Sequence, residues 1–335
     1  MDVDAFIAGH SGEWQRLEAL VRRRRRLSGV EADELVLLYQ RTATHLSMVR
    51  SAAPDPVLVD RLSSLVARGR AAVTGAQVPA WRDAVRFATV AFPAAVYRSA
   101  RWWVPTAVIF VLVAVAVGSW VATHEEVQAS VAAPAEVREL VRPGGQFETY
   151  YSSAPAGSFA ARVWTNNAWV AALSLAFGAL LGIPVLFVMA QNALNVGVAG
   201  GLMAAAGRGD VFFGLILPHG LLELTAVFVA AGVGLRLGWT VIDPGARRRV
   251  DALAQEGRAA GGVAIGLAGV LLISGVIEAF VTPSPLPTWA RVAVGVVAEA
   301  VFLGYVVLFG RPAVRAGEIG DVGAQDRADW APTAG

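Results

Sequence analysis

Hydrophobic positions follow two regimes along the chain. Up to residue 80 they recur at helical spacing between charges. Beyond residue 100 they merge into runs long enough to cross a bilayer, for which about 20 residues at 1.5 Å each suffice. In the first regime Trp14, Leu17, Leu20, Val21 and Leu27 mark one helix. Leu35, Leu38, Tyr39, Thr42, Leu46 and Val49 mark a second over 31–50, and Leu58, Leu62, Leu65 and Val66 a third over 57–73. Ser28-Gly29 and Pro54-Asp55-Pro56 separate them. A cytoplasmic helical domain over 1–80 is expected, with a core thin enough to need support from the membrane part.

Residues 81–101 set Val85, Thr89, Phe92 and Val96 beside Arg82, Arg86, Arg98 and Arg101. That pattern predicts an amphipathic helix in the membrane interface, bent at Pro93. The transmembrane domain then covers 102–310, with spans expected near 104–122, 168–189, 192–206, 211–236, 262–280 and 290–309. Trp102, Trp103 and Trp120 bracket the first at belt positions. Residues 123–165 form a loop with Glu125, Glu126, Glu136, Glu139 and Glu148, and a short helix is expected near 127–140. The polar tail 311–335 is expected to be disordered.

Charge supplies the orientation. The first 102 residues carry 15 arginines, which places the N-terminus in the cytoplasm and the acidic loop outside. Arg247, Arg248, Arg249 and Arg258 mark 237–261 as cytoplasmic too, so parity requires a crossing between the second span and residue 211. Only 192–206 is available. It is short for a span, and reads either as a tilted short helix or as one arm of a re-entrant hairpin. Arg311 and Arg315 return the C-terminus to the cytoplasm. The fold class is therefore an all-α polytopic bundle of about six crossings in a bacterial inner membrane.

Of the 335 residues 56% are hydrophobic and 16% charged, which excludes an ordinary soluble domain. There is no Cys, hence no disulfide, thiol nucleophile or thiolate metal ligand. No cleavable signal peptide is expected, because the first 80 residues lack a short apolar core. The arginine excess belongs to one membrane face and does not point to nucleic acid. Arg22, Arg23, Arg24, Arg25 and Arg26 are candidates for anionic lipid contact, beside the plainer reading of a solvated face. His45 reads as structural.

Candidate chemistry concentrates in 211–236, where Pro218, His219, Gly220 and Glu223 interrupt an apolar run. A charged carboxylate at midplane costs about 3 kcal/mol, so its presence calls for a partner or a purpose. His219 and Glu223 share a helix face. Glu299 stands midway along 290–309, Glu278 near the outer end of 262–280, and Asn192 and Asn195 one turn apart in the short segment. His219, Glu223 and Glu299 are metal-ligand types, but a single membrane histidine and no His-Glu-x-x-His pair argue against a metal, and no cofactor is expected. Ser174 and Ser274 are lone hydroxyls in apolar runs, so no catalytic nucleophile is assigned. An interhelical hydrogen-bond cluster and a gate or relay would use the same residues.

Four stretches carry a resemblance to the stage II sporulation protein M family of integral membrane proteins. They are Phe92-Pro93 with Arg98, the pair Asn166-Asn167, Asn195-Val196-Gly197 or Asn192 at the family's Asn-Gly position, and Pro218-His219-Gly220-Leu221-Leu222-Glu223. The last is the most specific, and the similarity covers about 90–310. In endospore formers the family member works with two cell-wall hydrolases in engulfment. The resemblance implies a non-enzymatic scaffold that recruits such partners for envelope remodelling. The alternative is the permease subunit of an ATP-driven exporter, which would require an ATPase partner. The lipid bilayer is a partner in either case, and a homo-oligomer is compatible with both.

Overall fold

The computed structural model describes residues 3–23, 27–52, 56–73, 80–150, 155–178 and 180–321. Among them every regular element is helical and no strand occurs. The chain divides into two compact units, residues 1–84 and 85–335.

The first unit contains α1 (Val3–Arg22), α2 (Gly29–Ala52) and α3 (Pro56–Val73). Its core is the set of apolar positions read from spacing: Trp14, Leu17, Leu20 and Val21 against Leu35, Leu38, Leu46 and Val49, closed by Leu58, Leu62 and Leu65. The Ser28 N–H donates to Glu31 Oε2 at 2.9 Å while the Glu31 N–H donates to Ser28 Oγ at 3.3 Å. This reciprocal box satisfies donors that the first turn of α2 would leave open. His45 is buried, and its Nδ1 accepts the Trp14 indole N–H at 3.2 Å.

The second unit starts within a short α4 (Ala80–Arg86), which leads through a π-helical turn, Phe87–Ala91, into α5 (Phe92–Arg98) and α6 (Ala100–Thr123). The interfacial helix expected over 81–101 is not what forms at its C-terminal half: Phe92 to Val96 are buried in the bundle. Glycines make the room. A Cβ at Gly266 would stand 2.2 Å from the Phe92 ring, and one at Gly310 would stand 2.3 Å from the Pro93 carbonyl oxygen.

Beyond α6, residues 124–150 are not an open loop. They form α7 (Glu125–Val131), α8 (Pro134–Val141) and α9 (Gln146–Thr149). Arg208 ties them down by donating to the Val141 carbonyl at 2.6 Å and pairing with Glu148, while Phe147 stacks on Phe212.

The next two helices are α10 (Ala156–Gly178) and α11 (Ile183–Ala205). The expected spans 168–189 and 192–206 therefore shift: residues 180–182 form a turn, and α11 is a full-length helix rather than a short or re-entrant piece. Leu181 and Gly182 adopt positive φ there, and Pro184 sits in the first turn of α11. Proline is favoured where backbone N–H groups have no partner inside the helix.

The hub is α12 (Gly209–Ile242), 34 residues long, which packs against α6, α10, α11, α13 (Arg249–Val276) and α14 (Thr288–Tyr305). Helix α13 runs on through a π-helical turn, Ile277–Val281, and α14 through another, Val306–Gly310. Among the described residues five helices are long and apolar enough to cross a membrane: α6, α11, α12, α13 and α14 with their extensions. Helix α10 has the length but carries Arg162, Thr165, Asn166 and Asn167 in its first half. After α15 (Arg311–Arg315) the chain turns back instead of starting a disordered tail at 311. Glu318 pairs with Arg86 at 2.7 Å, and the buried Asp321 carboxylate takes two bonds from Arg258. Residues 322–335 lie outside the described part.

Candidate functional site

Helix α12 carries Pro218, His219 and Gly220 about 15 Å along its axis from Gly209, at 1.5 Å per residue. The helix runs unbroken through Pro218, and α14 approaches closely there. A Cβ at Gly295 would lie 2.5 Å from the Pro218 carbonyl oxygen.

His219 and Glu278 are 7% and 4% exposed, and the His219 Nε2 stands 3.9 Å from Glu278 Oε1. The other ring nitrogen, Nδ1, is 3.2 Å from the Thr282 hydroxyl. One turn along α12, Glu223 points the same way. The Ser274 hydroxyl donates to the His219 carbonyl at 3.0 Å and lies 3.5 Å from Glu223 Oε2, and the Asn167 side chain bonds the same carboxylate. A polar cleft of about 380 Å³ reaches the group from the α7–α9 end, lined by Tyr150, Arg162, Asn166, Asn167, Glu223 and Glu278. Burial, and next the Glu278 carboxylate, hold the Tyr150 phenol above its ordinary range, so it faces the cleft as a neutral hydroxyl.

The sequence candidates thus divide. Asn166, Asn167 and Glu223, drawn from separate stretches, line one cleft, and His219 is buried beside the Glu223 and Glu278 carboxylates. Glu299 is elsewhere: its Oε1 accepts the Thr225 hydroxyl at 2.8 Å, and the second acid beside His219 is Glu278. Asn192 donates to the Val188 carbonyl of its own helix at 2.8 Å, and Asn195 is exposed. Arg22 pairs with Glu18 at 3.1 Å and Arg23 with Glu31 at 3.4 Å, while Arg24, Arg25 and Arg26 lie outside the described residues.

A second charged cluster, not anticipated from sequence, occupies the opposite end of the bundle. Glu256, 5% exposed, takes Arg98 at 2.6 Å, Arg236 at 3.1 Å and Arg247 at 3.6 Å. Burial pulls the Arg98 guanidinium below its ordinary range, against the pull of Glu256. Breaking one member of so buried a network typically costs about 3–5 kcal/mol, because the remaining charges lose their partner. In the sequence Glu256 is one of three acids, with Asp243 and Asp251, in an arginine-rich stretch, and spacing does not specify its pairing.

The sequence model of the family described as stage II sporulation protein M matches residues 107–283. Residues 4–75 match a domain of unknown function, DUF8413. No curated protein and no solved structure matches the chain. Phe92-Pro93 and Glu299 lie outside this match, whereas the cleft residues Asn166, Asn167, Glu223 and Glu278, and His219 beside them, all lie within it. With more than half of its length so matched, and five helices fit to cross a bilayer, the chain belongs to the stage II sporulation protein M family of membrane proteins.

Proposed function

We propose that the protein is an integral scaffold of the bacterial inner membrane that recruits partners for envelope remodelling and has no catalysis of its own. In this reading the first unit and the C-terminus are cytoplasmic, and residues 124–155 face outward. One observation carries it: three of the family-motif residues, Asn166, Asn167 and Glu223, line a cleft beside Tyr150 at the end of α9, at a surface rather than along a passage. Between that cleft and the Glu256 cluster the bundle is filled by Ala226, Val229, Ala230, Val233, Val263 and Leu267, all buried. A packed interior favours a fixed body that presents a surface over a conduit that opens and closes. An exporter permease would need such a conduit.

The test is photo-crosslinking in native membranes from positions 130 and 150, followed by purification of the tagged chain. Cell-wall hydrolases or other envelope proteins among the products would support the scaffold. A nucleotide-binding subunit captured from position 246, with no envelope partner from 130 or 150, would replace it by the transport reading.

A further inference from the structure

His219, Glu223 and Glu278 bring one ligand atom each to within 4.8 Å of one another. In a tetrahedral site with bonds of about 2.0–2.2 Å, ligand atoms stand roughly 3.4 Å apart, so the three need close by only about an ångström. Their outer partners are those that metal ligands use. Thr282 fixes the imidazole through Nδ1 and leaves Nε2 turned to Glu278, while Asn167 bonds the Glu223 carboxylate and Ser274 holds the His219 backbone carbonyl. Glu278 supplies an independent sign of a missing ligand: its side chain is 5% exposed, its Oε2 has no hydrogen-bond partner, and it lines the cleft. Among the described residues neither Glu223 nor Glu278 pairs with an arginine. A buried carboxylate oxygen without a donor is costly, and a cation would remove that cost.

We propose that His219, Glu223 and Glu278 bind a first-row divalent transition cation, with Zn²⁺ as the reference ion. The imidazole ligand argues against Ca²⁺ or Mg²⁺, which take oxygen donors in larger number. The cleft leaves a coordination position open to water. The ion joins α12 to the C-terminal end of α13 and makes the outer cleft a rigid feature. This goes beyond the scaffold reading and does not depend on it.

Full-length protein in detergent is titrated with Co²⁺ and followed by its visible d–d absorption, with retained Zn²⁺ measured by elemental analysis after gel filtration. His10, Glu13 and His45 form another set of potential ligands, although Trp14 occupies His45 Nδ1 and Arg41 holds Glu13 Oε1 at 2.9 Å. All titrations are therefore done in a His10→Asn background. Expected are about one equivalent of metal in that background, none in Glu278→Gln, and binding weakened roughly ten-fold in Thr282→Val, where only the second shell changes. Glu299→Gln should bind like the background. Absence of retained metal, an unchanged equivalent in Glu278→Gln, or equal loss in Glu299→Gln would each overturn the proposal. If Glu278→Gln does not assemble, Thr282→Val decides: undiminished affinity there overturns it.

Discussion

His45 shows how a single side chain can couple the first unit to pH. It accepts the Trp14 indole N–H and stacks against His10 with ring centroids 4.0 Å apart. Burial, reinforced by His10, holds its proton affinity below the ordinary imidazole value. A depressed folded-state pKa contributes stability that is present above the unfolded value near 6.5 and is lost as pH falls through the folded one. Hydrogen-exchange protection factors at residues 14–49 of the full chain, corrected for the intrinsic pH dependence of amide exchange, should fall between pH 7 and pH 5. In His45→Gln, which keeps an acceptor for the indole but cannot take a proton, that fall should flatten. An identical slope in both proteins would remove His45 from the account.

At the scale of elements, the helices meet through backbone. A Cβ at Gly234 on α12 would stand 2.3 Å from the Ser174 carbonyl oxygen on α10, and one at Gly201 on α11 would stand 2.6 Å from the Gly118 carbonyl oxygen on α6. Small residues allow such approach, which is how membrane helices gain packing where lipid competes equally for apolar surface. Gly234→Val should therefore lower stability in detergent by about 1–3 kcal/mol or prevent assembly, since the obstacle is backbone and cannot rotate away. Gly269, with nothing within 4 Å of its built Cβ, is the control. Gly269→Ala should be neutral or gain about 0.5–1 kcal/mol from helix propensity. Equal thermal midpoints for Gly234→Val and the parent would mean the α10–α12 contact is not tight.

At the scale of the molecule, the two charged clusters lie at opposite ends of the bundle, carboxylates near α7–α9 and arginines near α5 and the 243–248 turn. The positive-inside rule orients such a body with the arginine end in the cytoplasm. The sequence contains no cysteine, so single substitutions report without background. Ser130→Cys and Ala206→Cys are expected to label with an impermeant thiol reagent from outside, and Leu180→Cys and Ala246→Cys only after the membrane is opened. Leu180 is the decisive position, because external labelling there would mean that α10 does not cross.

Much of this was readable before any fold. The cores of α1–α3 appear in the spacing of Trp14 through Leu65, because a helix that buries one stripe must repeat its apolar residues with its own period. The hub α12 was legible for the opposite reason, as a long apolar run in which a few polar residues stand out. The turn at 180–182 was hidden inside a run of uncharged residues that periodicity cannot divide, although Gly182 and Pro184 mark it locally. Sequence chemistry by itself determined the helical membrane class and the family, and it singled out Asn166, Asn167, His219 and Glu223 as candidates. Only the tertiary structure decided that Glu278 rather than Glu299 completes the group, that Glu256 gathers Arg98, Arg236 and Arg247, and that Phe92–Val96 lies inside. Those are choices of rotation and depth between packed helices, set where glycines let backbones touch, and spacing within one helix carries no information about them.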